Sequence, residues 1–430
     1  MANKTIPPGL NDALKFPLTN ALYGRRARRF FKGAEIPDGY FAYKSRHDPL
    51  PLTEHEQMMI LTAAGGNTGW HNLIMRAARY APHLSNYACS AGGRTFPSAA
   101  GFHTSELFFT DDRGVYFFET RDAPELSERT EKGRFDVEAL LEAHRARIRK
   151  IADGRLKIPS EVPYVEPHNT WVVNHPGTTL IIPVGDLAQH VLAGLCYYTQ
   201  NGVCFYDDIN RMQINGLDKF KNLVNADKPF PLTFLEMWSL AELTAELSTA
   251  CYAGMLMLQA MGLGGWMFDG MDPFAVLGAS GNPEVPGLGF RYDADERWSL
   301  PNPTGLQGVF EGHTPPHYQD MRHAVDALVE RKFSSRGPFH PDTPGYYKET
   351  PKVRSSAQVH SEEFKECVAL QAQYIYDSFG KFPGTVPSIL TVTYLQAHHL
   401  DLEFYDRFFE QGAYLQTHKD HMRLWHSNTA

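Results

Sequence analysis

The stretch LSTACYAGMLMLQAMGLGGWMFDG, residues 247–270, decides the fold of this chain. Its first part is almost entirely apolar or small. It extends a helical pattern that begins near residue 231 with Leu235, Leu240, Leu243 and Leu247. A helix that is apolar all round belongs at the centre of a core or in an interface, not on a surface. The apolar run 250–261 is shorter than the ~20 residues a bilayer requires. Gly262-Leu263-Gly264-Gly265 ends the helix, because glycine takes the left-handed conformation at a helix terminus without steric cost. The chain then runs into Asp269-Gly270.

Working outward, two β-rich runs, 105–110 and 115–119, flank Asp111-Asp112-Arg113-Gly114, which predicts a hairpin. Residues 178–184 read as a buried strand and 188–198 as a helix. Thr53 is an N-cap for a helix whose Glu54 and Glu56 favour the positive end of its dipole and which Gly65-Gly66 stops. Residues 136–153 predict a charged helix with Val137, Leu140, Leu141 and Ile148 on one side. The segment 1–50 is rich in proline, glycine and basic residues, with a helical pattern that is weak until 27–31. The region 283–351 is rich in glycine, proline and aromatics around a short helix near 318–332; so long an irregular region is functional or covers something. Two further helices are expected at 361–379 and 389–409, and no repeat or low-complexity tract appears.

A length of 430 residues predicts two or three domains, and 43% apolar with 21% charged residues is ordinary for a globular protein. The formal net charge of −8 argues against a general nucleic-acid binder, so the basic cluster at 25–29 stands out. The five cysteines are scattered without a CxxC pair, which argues against a disulfide framework. The start Met1-Ala2-Asn3-Lys4 is polar and lacks the apolar region of a secretory signal; a cytoplasmic protein without membrane contact is expected.

Three segments carry chemistry. Arg25-Arg26-Ala27-Arg28-Arg29 supplies planar, permanently charged forks suited to a phosphate. On a helix Arg25 and Arg29 would lie one turn apart and converge on one anion; the same run also reads as a solvated basic patch. Pro97-Ser98-Ala99-Ala100-Gly101 offers small residues whose main-chain N–H groups can approach a flat ring, with a hydroxyl from Ser98, and also reads as a simple loop. The glycine turn after the long helix is the third. Together they suggest a phosphorylated, planar cofactor.

Their order and character resemble the nitroreductase family. Arg25, Ala27 and Arg29 occupy its Arg-x-Ser-x-Arg/Lys element, although Ala27 lacks the serine hydroxyl. Pro97, Ser98 and Ala99, preceded by Arg94 and followed by the hairpin, resemble the branch of peptide thiazoline and oxazoline dehydrogenases (SagB-like). Gly262-Leu263-Gly264 and Asp269-Gly270 match the element beside the flavin's reactive edge. The resemblance implies non-covalent FMN in an α+β, three-layer core, with a central, mostly antiparallel sheet flanked by helices. It covers about residues 20–280. The implied division is a flavin domain at 1–285, with divergent insertions near 120–170 and 200–230, and a helical or irregular extension at 286–430. It further implies a homodimer whose pockets draw on both subunits, with 247–261 as a candidate interface. NAD(P)H is a candidate electron donor, and a small organic or peptide-derived molecule the candidate substrate. No GxGxxG follows a predicted strand, so no resident dinucleotide site is expected.

His103 follows the Pro-Ser element and could face the ring as a proton shuttle, or serve structure. His398 and His399 are the other catalytic candidates. On a helix they would pair with Asp401 and Glu403, and His418, His421 and His426 follow. These tail residues have three readings: ligands to zinc or iron, the polar face of a packed helix, or a lid that brings His398 or His399 to the substrate. No HExxH or other named ligand motif occurs, so no metal ligands are assigned from sequence. The functional expectation is an FMN-dependent oxidoreductase transferring hydride at flavin N5. The alternatives are a flavin-sequestering protein without turnover and a flavin-fragmenting enzyme.

Overall fold

A computed structural model describes residues 6–76, 85–121 and 136–426; the starting tetrapeptide and part of the 120–170 insertion lie outside them. The main sheet has seven strands: β1 (Ser105–Asp111), β2 (Gly114–Phe118), β3 (Ile148–Asp153), β4 (Thr179–Asp186), β5 (Gly264–Phe268), β6 (Ile389–Leu390) and β7 (Tyr394–His398). Their order is β5-β7-β4-β1-β2-β3, with β6 also paired to β4, and every pairing is antiparallel. The expected hairpin is β1–β2. Asp111 closes its turn by accepting from the main-chain N–H groups of Arg113 (2.8 Å) and Gly114 (3.2 Å). β1 and β4 are buried on both faces, and the apolar stretches 107–109 and 180–184 lie within them for that reason.

Among the described residues, the helices longer than five residues are α1 (Pro8–Lys15), α2 (Leu18–Gly24), α3 (Glu54–Gly65), α4 (Val137–Arg145), α5 (Leu187–Gln200), α6 (Leu232–Met261), α7 (Met321–Phe333), α8 (Glu362–Phe379), α9 (Leu402–Phe408) and α10 (Gln416–Trp425). Thr53 and Glu56 cap α3 reciprocally, satisfying two of its orphan N–H groups. α6 is the 30-residue apolar helix read from sequence, about 45 Å long. Its carboxyl half packs on α3 and the strands β4 and β7. Its amino half joins α5, α7 and α8 in a second apolar cluster that includes Leu235, Leu243, Val325 and Val368. The opposite side of the sheet is covered by the irregular region: Phe108 meets Phe290 and Phe310 at ring separations of 5.7 and 6.2 Å.

The chain is thus α+β, with a central antiparallel sheet flanked by helices. Three expectations are corrected. Residues 389–409 are not one helix: 389–390 and 394–398 are strands, and only 402–408 is helical. Thr391, Val392, Thr393 and Tyr394 favour extended backbone, and the slot between β4 and β5 pairs both edges of β7. His398 and His399 therefore share no helix face with Asp401 or Glu403. Residues 136–153 are a helix to Arg145 and then strand β3, because pairing with β2 overrides helical propensity. Residues 25–29 follow α2 without being helical, so Arg25 and Arg29 do not lie one helical turn apart. The chain beyond residue 285 also supplies a strand to the middle of the main sheet, so no structural layer ends at that position.

The amino-terminal arm is fixed by Arg28. Its backbone bridges Gly265 of β5, and its buried guanidinium donates to the carbonyls of Gly24 (3.1 Å) and Ala413 (2.9 Å) and to Oε1 of Gln259 (2.7 Å). Burial lowers its pKa to about 10. Replacing Arg28 by Met is expected to cost about 2–4 kcal/mol, since it strands buried acceptors on three segments. Urea unfolding checks this as a lower midpoint at unchanged slope.

Candidate functional site

The sequence-predicted residues fall into two groups. The first surrounds a cavity of about 410 Å³ in front of the amino-terminal arm. Arg26, Ala27 and Arg29 line it, and Phe41, Trp171 and Phe409 are among its aromatic walls. Arg29 is half-buried between two indoles, with its guanidinium carbon 5.6 Å from the ring of Trp171 and 5.7 Å from that of Trp266. It donates to Oδ1 of Asn169 at 2.8 Å. Burial lowers its pKa, yet a guanidinium keeps its charge at neutral pH. Arg25 lies outside the lining, at the end of α2.

Gly270 belongs to this group through Asn169. Its carbonyl accepts from the N–H of Glu166 (3.1 Å), and a Cβ at this position would lie 2.6 Å from Nδ2 of Asn169. The glycine is required by that close approach. Asp269, beside it, is exposed.

The second group lies along the amino half of α6. Ser98 donates to Oε2 of the buried Glu246 (2.5 Å) and accepts from the N–H of His103 (2.8 Å). Pro97 is exposed, and Ala99 lines a separate cavity of about 430 Å³ with Tyr197 and Trp238. Arg94 is buried and donates to Oδ1 of Asn67 (3.0 Å) and to the Thr120 carbonyl. Glu246, which holds Ser98, lies thirteen residues before Gln259, which holds Arg28. At roughly 1.5 Å per residue the two groups are about 20 Å apart along the helix. One copy of the chain does not bring them to one pocket.

The candidate catalytic histidines are all interior. His103 is buried at a positive φ of 47° and stacks on His71 at 5.2 Å. Burial, reinforced by the charge of Arg94, holds its pKa well below the usual imidazole range, so it is neutral. His398 donates from Nε2 to the Arg28 carbonyl (3.0 Å), and burial lowers its pKa to about 3. His399 donates from Nδ1 to the Leu50 carbonyl (2.8 Å). Neither of the last two lines the cavity at Arg29. The tail does reach that cavity, through Phe404, Tyr405 and Phe409. Sequence reasoning missed these walls, and it also missed Asn169 and Trp171. No local motif marks them, because each becomes part of the site only when distant segments dock.

No protein-family model matches the chain, and no curated relative matches it. Solved structures similar to it include a candidate nitroreductase from Ralstonia eutropha JMP134, at 13% identity and a TM-score of 0.27, covering 64% of this chain and 75% of that one. Another is an enone reductase of gut-bacterial fatty acid saturation metabolism, at 15% identity and a TM-score of 0.25, covering 63% and 84%. Scores this low assign neither family nor activity. Among the described residues, no helix is long and apolar enough to cross a membrane.

Gly270→Ala is expected to displace Asn169 from Arg29 and cost about 1–3 kcal/mol. Asp269→Asn, at the exposed neighbour, is expected to stay within about 0.5 kcal/mol. Paired urea titrations of the two variants check the contrast.

Proposed function

We propose that the chain is an FMN-dependent oxidoreductase of the nitroreductase type, acting on a small organic or peptide-derived substrate with NAD(P)H as electron donor. The observation that carries this reading is the cavity at Arg29. A permanent cation and the exposed Arg26 stand at an aromatic-walled space of about 410 Å³, within the very element that resembles the family's phosphate-binding run. This donor set fits a planar ligand with an anionic tail.

Bound FMN supplies the hydride chemistry. The chain's part is to hold and shield it. Arg26 and Arg29 would bind the phosphate; Ala27 offers no hydroxyl, and Asn169 fixes the Arg29 fork in place. Phe409 and Trp171 would shield the bound ring from water. The Asp269–Gly270 turn packs against Asn169, and its main-chain groups would be the ones offered to the ring. A pocket that also uses Pro97 and Ser98 must take them from a second copy, because the two groups are too far apart within one. Exposed Tyr197, Met237 and Trp238 beside the Ser98 group are an apolar patch suited to that contact. The 247–261 half of α6, by contrast, packs on this chain's own α3.

Purified full-length protein is expected to be yellow, to hold one FMN per chain and to elute as a dimer. Arg29→Ala is expected to weaken FMN binding at least about tenfold, the loss of one charge-assisted contact. Anaerobic NADH or NADPH should bleach the flavin. A colourless protein that takes up no added FMN overturns the reading; bound flavin that no reductant bleaches overturns the oxidoreductase assignment.

A further inference from the structure

Outside the lining of the cavity at Arg29, four side chains from three parts of the chain converge in the interior. Glu56 is the third residue of α3 and is fully buried. Its Oε2 accepts the N–H of Thr53 (2.6 Å) in the capping box. Its Oε1 faces three imidazole nitrogens instead: Nε2 of His399 at 3.1 Å, of His421 at 2.7 Å and of His426 at 3.0 Å. The Nε2 atoms of His399 and His426 are themselves 3.1 Å apart. All four candidate ligand atoms lie within 4.8 Å of one another.

The second contacts of these rings fix what they present to the centre. Nδ1 of His399 lies 2.8 Å from the Leu50 carbonyl, and Nδ1 of His421 lies 2.8 Å from the Met261 carbonyl. A carbonyl oxygen only accepts, so each Nδ1 carries the hydrogen, and in the neutral ring each Nε2 presents a lone pair. Two imidazole lone pairs therefore point at a carboxylate oxygen that also carries only lone pairs. Such a cluster of acceptors is unfavourable by itself and favourable around a cation. Nδ1–H bonded to a backbone carbonyl, with Nε2 aimed inward, is also the outer-shell arrangement that orients metal-bound histidine.

We propose that Glu56, His399, His421 and His426 form a binding site for one divalent transition-metal ion, with zinc the ion that its donors suit. Three imidazoles and one carboxylate make a four-donor N₃O set. Zinc takes such ligands at about 2.0–2.2 Å in a tetrahedron, which places them roughly 3.3 Å apart. That spacing is close to the separations seen here. The ligands are buried, as in closed structural sites rather than open catalytic ones. A small cavity of about 170 Å³, lined by His399 and His421 among others, gives an entry path. The ion would clamp the start of α3, the segment after β7 and the end of α10.

The test uses untagged full-length protein, dialysed against EDTA and then titrated with zinc chloride or cobalt chloride. Binding of one equivalent of zinc per chain, a rise in Tm on loading and a visible four-coordinate cobalt band are expected. Glu56→Gln keeps an acceptor for the Thr53 cap while removing the charged ligand, and His426→Ala alters only the end of α10. Each is expected to bind zinc at least about tenfold more weakly, as loss of a ligand should cost no less than loss of an outer-shell partner. Folded wild-type protein that retains neither ion, or zinc affinity unchanged in both variants, overturns the proposal.

Discussion

The guanidinium of Arg28 joins parts of the molecule that the chain keeps far apart. In one buried position it binds the end of α2, the last turn of α6 and the segment between α9 and α10. Its main chain adds a bridge to β5 and accepts from His398 on β7. A buried charge is tolerated only when its donors are satisfied, and here all three directions of the fork are taken. The arm that carries Arg26 and Arg29 is therefore placed by its buried neighbour. Arg28 turns its guanidinium inward to Gly24, Gln259 and Ala413, while Arg29 stands at the cavity beside Trp171 and Trp266.

α6 sets the second constraint. A helix of this length touches both apolar clusters, one at each end. Its carboxyl end holds Arg28 through Gln259, while its amino half holds Ser98 through Glu246. The same rigidity that organises the core keeps the arginine element and the Pro-Ser element apart. Gly262 completes the arrangement. It ends the helix at a φ of 80°, and a Cβ there would sit 2.1 Å from the Thr417 carbonyl, so α10 docks directly against the turn. That docking brings His421 to the Met261 carbonyl and the tail histidines to Glu56.

Much of the scaffold was legible because its signals are local. The α6 pattern, the Thr53–Glu56 cap and the Asp111–Gly114 turn depend on neighbours a few residues away, and each forms where the residues indicate. The arginine, Pro-Ser and glycine elements could be picked out for the same reason, by their chemistry. Their grouping could not. Asn169 reaches Arg29 across 140 residues, and nothing near either position announces the pairing. Residues 389–390 and 394–398 are strands and not part of a helix, because strand pairing on both edges of β7 outweighs any helical preference of the segment.

By itself, then, the amino-acid order determined the elements whose energies are settled within a turn or a hairpin: caps, alternation, apolar faces and glycine stops. It also determined the chemical types available, a basic run, a small-residue loop and many histidines. Only tertiary structure decided that residues 394–398 become a central strand, that the arginine and Pro-Ser elements contact α6 thirteen residues apart, and that His399, His421 and His426 meet Glu56. The reason is physical. Burial and sheet pairing act between segments hundreds of residues apart, and where they conflict with local preference the larger buried area prevails.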